Sequence, residues 1–256
     1  MKRTTTIIVS VFALGLVSYA GRTVETGYRV VDVVQAGSIT GTVTYDGAVP
    51  DIPTLTVDKN VDVCGTSIAD PNATVVNSQS KGVRWVLLYL EEVSEGKAPP
   101  ERFVLDNEEC EFRPHVMGAV AGHPFIIENS DPVLHNTHIR FGSTLERTRR
   151  TVFNGALSFH EGEPQYRPIE NPRVLRRSGW IDIQCDAHEW MQGYGLVLEH
   201  PYFAVTDEHG AYELTEVPPG TYTLKLWHEN LGEQTREVTV QPGASATADF
   251  TLKPTS

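Results

Sequence analysis

The run Cys185-Asp-Ala-His188-Glu-Trp-Met191 gathers a thiol, an imidazole and a thioether into one short loop. Upstream, Glu128-Asn-Ser-Asp-Pro-Val-Leu-His135-Asn136 supplies a second imidazole. A soft thiolate, two imidazoles and a weak axial thioether form the donor set of a type 1, or blue, copper site, whose chemistry is one-electron exchange. The spacing has a geometric reason. Three donors from one turn can converge on a single ion, and the fourth must come from a neighbouring strand that anchors the ion to the scaffold.

The elements that would hold these donors read as strands. Ser38-Ile-Thr-Gly-Thr-Val-Thr-Tyr45 alternates and stops at Asp46-Gly47, a hairpin-type turn. Val83 to Leu90 is apolar enough for a buried strand, and Pro124–Glu128 and Thr137–Phe141 flank the turn that carries His135. Gly179–Cys185 and Gly193–Leu198 then make a hairpin with the metal loop at its tip. Beyond His200-Pro201, segments such as Tyr202–Asp207, Gly210–Leu214, Thr221–Trp227 and Arg236–Val240 make a second compact β unit. Asp58 to Lys81 has no clear period and reads as loop held by Cys64, and Glu161 to Asn171 looks similar. Many short strands with Gly, Pro and Asp turns indicate an all-β sandwich or barrel. Ser38 to Tyr45 also resembles the opening strand of modules like the C-terminal one.

The ends and the composition bound the setting. Lys2 and Arg3, the apolar core Ile7 to Val17 and the small residues of Ser18-Tyr-Ala20 read as a secretory signal, with an uncleaved anchor as the alternative. No later stretch is long and apolar enough to span a bilayer, so the expected location is periplasmic or extracellular. The expected division is a signal peptide at 1–20, a copper-binding domain with an N-terminal extension at 21–199, and a small sandwich at 200–256. The formal net charge is −12, or −14 once the two positive charges of Lys2 and Arg3 are removed. That argues against nucleic acid and anionic membranes. Arg147, Arg149 and Arg150, with Arg173, Arg176 and Arg177, read as solvated strand faces, or as a docking patch for an anionic partner.

Three cysteines in a disulfide-permissive compartment leave one sulfur over. The economical assignment pairs Cys64 with Cys110 and keeps Cys185 as the ligand thiolate. The competing assignment puts Cys110 and His115 in a second metal site.

Asn129 to Phe141 and Trp180 to Leu198 resemble the cupredoxins, in particular the amicyanin and plastocyanin type with its short ligand loop. The resemblance implies a Greek-key β-sandwich, one type 1 copper ion, and electron transfer with a redox protein such as a c-type cytochrome or an oxidoreductase. By matching position, His135 is the strand-side imidazole ligand, Cys185 the thiolate, His188 the loop imidazole and Met191 the axial thioether. Asn136 takes the place of the residue that braces the ligand loop. His188 at the hairpin tip is the expected least-buried ligand and electron port. Leu134 stands where the family usually has Pro, and Glu189 where an apolar residue or Pro is common. His200-Pro-Tyr-Phe-Ala-Val-Thr-Asp, Val217-Pro-Pro-Gly-Thr-Tyr and Trp227-His228-Glu are similar to a carboxypeptidase regulatory-like module. That likeness implies a transthyretin-like small sandwich without catalysis of its own.

The remaining histidines have plainer readings. His138 packs beneath the site or replaces Met191, His115 structures a turn or binds a second ion, and His200 and His228 pack at the domain hinge. His123, His160 and His209 carry no assigned role, and Trp190 and Tyr194 serve packing and exclusion of water. Asn72-Ala-Thr74 fits a glycosylation acceptor. No phosphate loop, nucleophile elbow or His-Glu-x-x-His motif occurs, so the expectation is a non-enzymatic protein. Two rival readings are a copper-delivery protein and a structural β-protein without a working metal site.

Overall fold

A computed structural model describes residues 27–142, 149–157, 167–169 and 176–254. The signal segment 1–20, Arg147, Arg173 and His160 lie outside the described residues. The regular structure of the described residues is almost entirely β-strand, arranged as two packed sandwiches with no closed barrel.

The first sandwich carries the candidate ligands. One sheet runs in the spatial order Arg150–Leu157, His135–Phe141, Gly179–Gln184, Gln192–Leu198 and Val116–Val120. The facing sheet runs Arg167–Ile169, Phe125–Asn129, Phe103–Glu108 and Glu111–Arg113. Alternating burial along Phe103–Glu108 and Phe125–Asn129 turns one face of each strand inward, as the two-residue period of a strand requires. Leu105, Phe112, Phe125 and Ile127 from that sheet meet Met117, Ile139, Ile181, Ile183 and Val197 from the other in one core. Cys185, Trp190 and Met191 belong to the same core, so the Cys185–Met191 loop is built into the packed interior.

The second sandwich is assembled from two separate parts of the chain. One sheet orders Phe203–Val205, Leu87–Leu90, Gly220–His228 and Gly232–Val240. The other places Gly37–Tyr45 between Ala211–Val217 on one side and the parallel strands Ser245–Thr247 and Phe250–Leu252 on the other. A boundary at residue 200 therefore separates the chain but not the sheets. Gly37–Tyr45 and Leu87–Leu90, expected with the copper-binding unit, are interior strands of the C-terminal one. The physical reason lies in their apolar faces. Ile39, Val43, Leu88 and Leu90 are fully buried, and they find their neighbours in Leu214, Leu224, Leu226, Phe250 and Leu252. The first sandwich is thus an insertion between the strands Leu87–Leu90 and Phe203–Val205. The expected strand at Val83 to Leu90 is shorter than its apolar run, and the unpatterned tract after Asp58 holds a one-turn helix, Val61–Cys64, and the short strand Ser67–Ala69.

The two sandwiches share an aromatic junction. Leu87, Val116, Leu196 and Leu198 form its buried centre, surrounded by Trp85, Trp180, Tyr194, Phe203 and Trp227. Gly118 has a packing reason here, because a Cβ at that position would sit 2.2 Å from the Phe203 ring. Trp180 and Trp227 meet across the junction with ring centroids 4.5 Å apart. His200 lies on the linker into the second unit, fully enclosed, and its Nδ1 accepts the Tyr202 N–H at 3.3 Å.

Burial of the His200 ring holds its pKa down at about 4, against an ordinary value of 6.5. The folded protein therefore keeps this imidazole neutral where the unfolded chain already binds a proton. Its contribution to stability is complete above about pH 6.5 and is lost as the pH falls towards 4, about 3 kcal/mol in all. His200→Gln should flatten stability against pH across that window, read as the denaturant midpoint at each pH. Parallel curves for the two proteins would show that His200 is not the source of the slope.

Candidate metal centre

Local structure brings His135, Cys185 and His188 together from one strand and one turn. His135 opens the strand His135–Phe141, and the preceding turn is shaped by Asn129, whose buried side chain donates to the carbonyls of Val133 and Leu157 at 2.8 and 3.0 Å. The same Asn129 accepts the Asp131 N–H through its Oδ1, which fixes Asp131 four residues before His135. Cys185 follows the strand Gly179–Gln184. The loop after it is closed by two backbone hydrogen bonds, Met191 N–H to the His188 carbonyl at 3.0 Å and Cys185 N–H to the Met191 carbonyl at 3.2 Å. The Cys-x2-His-x2-Met spacing is the length of this closed turn.

The ligand atoms of His135, Cys185 and His188 all lie within 4.8 Å of one another, and all three residues are buried. The Nδ1 atoms of the two histidines are 3.1 Å apart, and the Cys185 Sγ is 3.6 Å from the His188 Nδ1. Met191 is 1% exposed and packs in the core beside Cys185. The outer nitrogens are both engaged. The His135 Nε2 donates to the Asp131 carboxylate at 2.8 Å, and the His188 Nε2 donates to the Asn60 Oδ1 at 2.8 Å. A carboxylate can only accept, and the amide oxygen of Asn60 likewise, so both imidazoles carry their proton on Nε2. With the rings neutral, both Nδ1 atoms therefore turn a lone pair inward, next to a thiol. Two facing lone pairs at this distance repel unless a cation or a shared proton lies with them. This donor set fits a soft metal ion with imidazole and thiolate preferences.

The electrostatics of the metal-free site follow from the same contacts. Burial works against charge on the His135 ring, but the hydrogen bond to Asp131 and the nearby Cys185 sulfur outweigh it and raise its pKa. Burial likewise opposes a Cys185 thiolate, yet hydrogen bonds from His135 and from the backbone N–H of Asn136 lower the thiol pKa. Burial and the positive charges of His135 and Lys59 hold His188 down at about 4. Asp131 is stabilised as a carboxylate, against the cost of burial, by His135 and by the N–H groups of Cys110 and Glu109, both at 2.8 Å.

The remaining sequence candidates occupy distinct places. Asn136 donates its backbone N–H to the Cys185 Sγ at 3.4 Å, and its side-chain oxygen accepts the N–H of Asp186. His138 points away from the cluster, with Nδ1 2.9 Å from Asp186 and Nε2 2.8 Å from the Thr151 hydroxyl, so it does not stand in for Met191. Cys64 and Cys110 are joined as a disulfide, which removes Cys110 from any second metal site with His115. His115 belongs to the junction between sandwiches, where its Nε2 is 2.9 Å from the buried Glu229 carboxylate. Tyr194 packs there too, in edge contact with His115 and Trp227. Trp190 lies beside the His188 ring, centroids 5.0 Å apart, and its indole N–H donates to the Cys110 carbonyl.

His188 departs from expectation. It is as completely buried as His135, at 0% exposure for each, whereas the loop tip was expected to leave it the least covered ligand. The cover is the segment between Thr54 and Ala69, in which two short strands pair around the helix Val61–Cys64. Leu55, Cys64 and Ile68 pack onto the first sandwich's core, and the Lys59 ammonium donates to the Ala187 carbonyl at 3.0 Å. Asn60 and Asp131 were not singled out from the sequence. Asp131 had a signal in its Asn-x-Asp turn just before His135. Asn60 had none beyond its proximity to Cys64.

The similarity of the whole molecule to known proteins is uneven. No curated protein matches the chain. Among solved structures, a copper-containing nitrite reductase from Thermus scotoductus SA-01 is 15% identical, with a TM-score of 0.28, over 43% of this chain and 25% of its own. The chain thus spans about a quarter of that enzyme's length. A Cu(I) form of a mutant amicyanin is 15% identical, TM-score 0.29, over 43% of this chain and 98% of its own. Auracyanin A, a blue copper protein from Chloroflexus aurantiacus, is 15% identical, TM-score 0.29, over 40% of this chain and 100% of its own. Residues 196–253 match the family model of the carboxypeptidase regulatory-like domain, a unit to which the fold adds the strands Gly37–Tyr45 and Leu87–Leu90.

Proposed function

We propose that this protein is an exported one-electron carrier that holds one type 1 copper ion at His135, Cys185, His188 and Met191. The observation that carries the reading is the convergence of two imidazole lone pairs on one buried thiol, with both outer ring nitrogens already turned to acceptors. When bound, copper supplies reversible one-electron chemistry to such a donor set. The residues supply the rest. Cys185 provides the thiolate, steadied by the Asn136 N–H, and Asp131 and Asn60 fix the tautomer and tilt of the two rings. Met191 offers a thioether from the same turn, and Trp190 excludes water from the side of His188. A rigid, dry donor set keeps its geometry through a change of charge, which suits electron transfer.

Burial of both imidazoles, each tied from behind, favours a retained ion over one handed to a recipient. Export is supported by the basic and apolar opening segment and by the Cys64–Cys110 disulfide. Among the described residues no helix is long and apolar enough to cross a membrane. The partner would be another redox protein, such as a c-type cytochrome or an oxidoreductase.

Copper(II) added to the purified protein should give an intense visible thiolate-to-copper band and a narrow hyperfine splitting in electron paramagnetic resonance. Cys185→Ser should abolish the band while circular dichroism stays at wild type; a band that persists would refute Cys185 as ligand. Asp131→Ala should weaken copper affinity about 10- to 100-fold, measured by competition with a chelator, because partners behind a ligating histidine have effects of that size. Wild-type affinity in that variant would remove Asp131 from the site's support.

A further inference from the structure

The covering segment is not part of the sandwich it covers. Thr54–Ala69 lies between the strands Gly37–Tyr45 and Leu87–Leu90, both of which belong to the second sandwich. It leaves that unit, crosses to the first, and is stapled there by Cys64–Cys110. Cys110 is also where the support behind His135 converges. Its N–H donates to Asp131, its carbonyl accepts from Trp190, and Asp131 accepts from His135. The two rings are thus fastened from behind by groups linked through one disulfide, Asp131 beside Cys110 and Asn60 four residues from Cys64.

Asn60 is built for its position. Its backbone is left-handed, at φ 51° and ψ 37°, a conformation that asparagine tolerates better than other residues with a Cβ. It starts the helix Val61–Cys64, yet its side chain makes no capping hydrogen bond to that helix. The amide oxygen instead accepts the His188 Nε2 proton at 2.8 Å. Asn60 itself is exposed, so its amide links a fully enclosed imidazole to the protein surface.

We propose that Asn60 is a positioning residue that locks the orientation of His188 and closes the outer edge of the metal centre, with Thr54–Ala69 as a fixed cap contributed by the second sandwich. For the metal-bound protein this rests on the copper reading given above; for the metal-free protein it stands on its own. The cap, rather than a bare imidazole edge, then forms the surface that any redox partner meets over the loop.

The test uses the full chain with its disulfide intact and two variants. Asn60→Gly keeps the left-handed backbone and removes the acceptor, and Asn60→Asp keeps both. In the metal-free state, nitrogen-15 spectra of the imidazoles should show a His188 Nε2–H that exchanges slowly in wild type and in Asn60→Asp, and at least about tenfold faster in Asn60→Gly. Copper affinity should fall about 10- to 100-fold in Asn60→Gly and recover in Asn60→Asp. Unchanged proton exchange in Asn60→Gly overturns the shielding role, and unchanged affinity overturns the positioning role. A wild-type protein without a thiolate band would instead sink the type 1 copper reading, while the proton-exchange result would still decide the role of Asn60.

Discussion

The centre of this molecule is a repulsion that the fold holds in place. With both rings neutral, two imidazoles face each other through their Nδ1 lone pairs, 3.1 Å apart, beside a buried sulfur. Left to themselves, the rings would rotate and place an N–H where a lone pair now sits. Asp131 and Asn60 prevent this by occupying the Nε2 protons, and they come from opposite sides of the site. Preorganisation of this kind carries its cost in folding, so that none remains to be met when a cation arrives. Against the cost of burial, Asp131 and the Cys185 sulfur raise the pKa of His135, and His135 with the Asn136 N–H lowers that of Cys185, which favours a proton facing a thiolate and relieves that repulsion. Each charge stabilises the other in the place where a cation would sit.

That arrangement needs anchors that do not yield, and the anchors explain the unusual threading. Asp131 is held by two backbone N–H groups, one of them from a disulfide cysteine, and each of these hydrogen bonds to a charged acceptor is of the stronger kind. Asn60 is held by a segment that could not fold over the site alone: its helix is a single turn, far below the length at which an isolated helix persists. The disulfide and the packing of Leu55 and Ile68 on the first core supply what that turn lacks. Both ends of the segment are meanwhile fixed in the second sandwich. Fixing both ends and the middle reduces the conformational freedom that ordering a loop would otherwise forfeit.

How much of this the sequence made legible depends on the range of the contact. That His135, Cys185 and His188 gather at one point was readable because their side-chain types are rare and the spacing of the loop is set by one turn. The pairing of Cys64 with Cys110 was readable from an odd count and a ligand role for Cys185. Strand positions came from alternation, and Ser38 to Tyr45 even showed its kinship with the C-terminal module. What alternation does not encode is the partner: Gly37–Tyr45 has the same pattern whichever sheet it enters, and its pairing with strands some 200 residues later is a tertiary fact. The burial of His188 was missed for a similar reason. Its cover consists of Asn60 and Lys59, ordinary polar residues in a tract without periodicity, which become informative only once brought against Ala187 and the imidazole.

The junction between sandwiches completes the logic. A cap rooted in one unit can fix a ligand of the other only if the two units hold a constant relation. The aromatic layer of Trp85, Trp180, Tyr194 and Trp227 provides that constancy, with His115 and Glu229 paired inside it. Glu229 is nearly inaccessible, and its carboxylate is kept ionised, against the cost of burial, by His115 and His228. A buried carboxylate held by imidazoles in this way penalises any sliding that would separate them, because a buried carboxylate left without its partner is expensive. Shape-tolerant aromatic packing gives the junction its area, and the His115–Glu229 hydrogen bond gives it a register. The strand Gln192–Leu198, which follows the Cys185–Met191 loop, lies against this junction, where the Gln192 carbonyl is 3.1 Å from the His115 Nδ1. The residue next to Met191 is thereby tied to the contact that sets the register of the two units. A shift of one sandwich against the other would therefore pull on the metal loop from two directions, through Asn60 at the cap and through Gln192 at the junction.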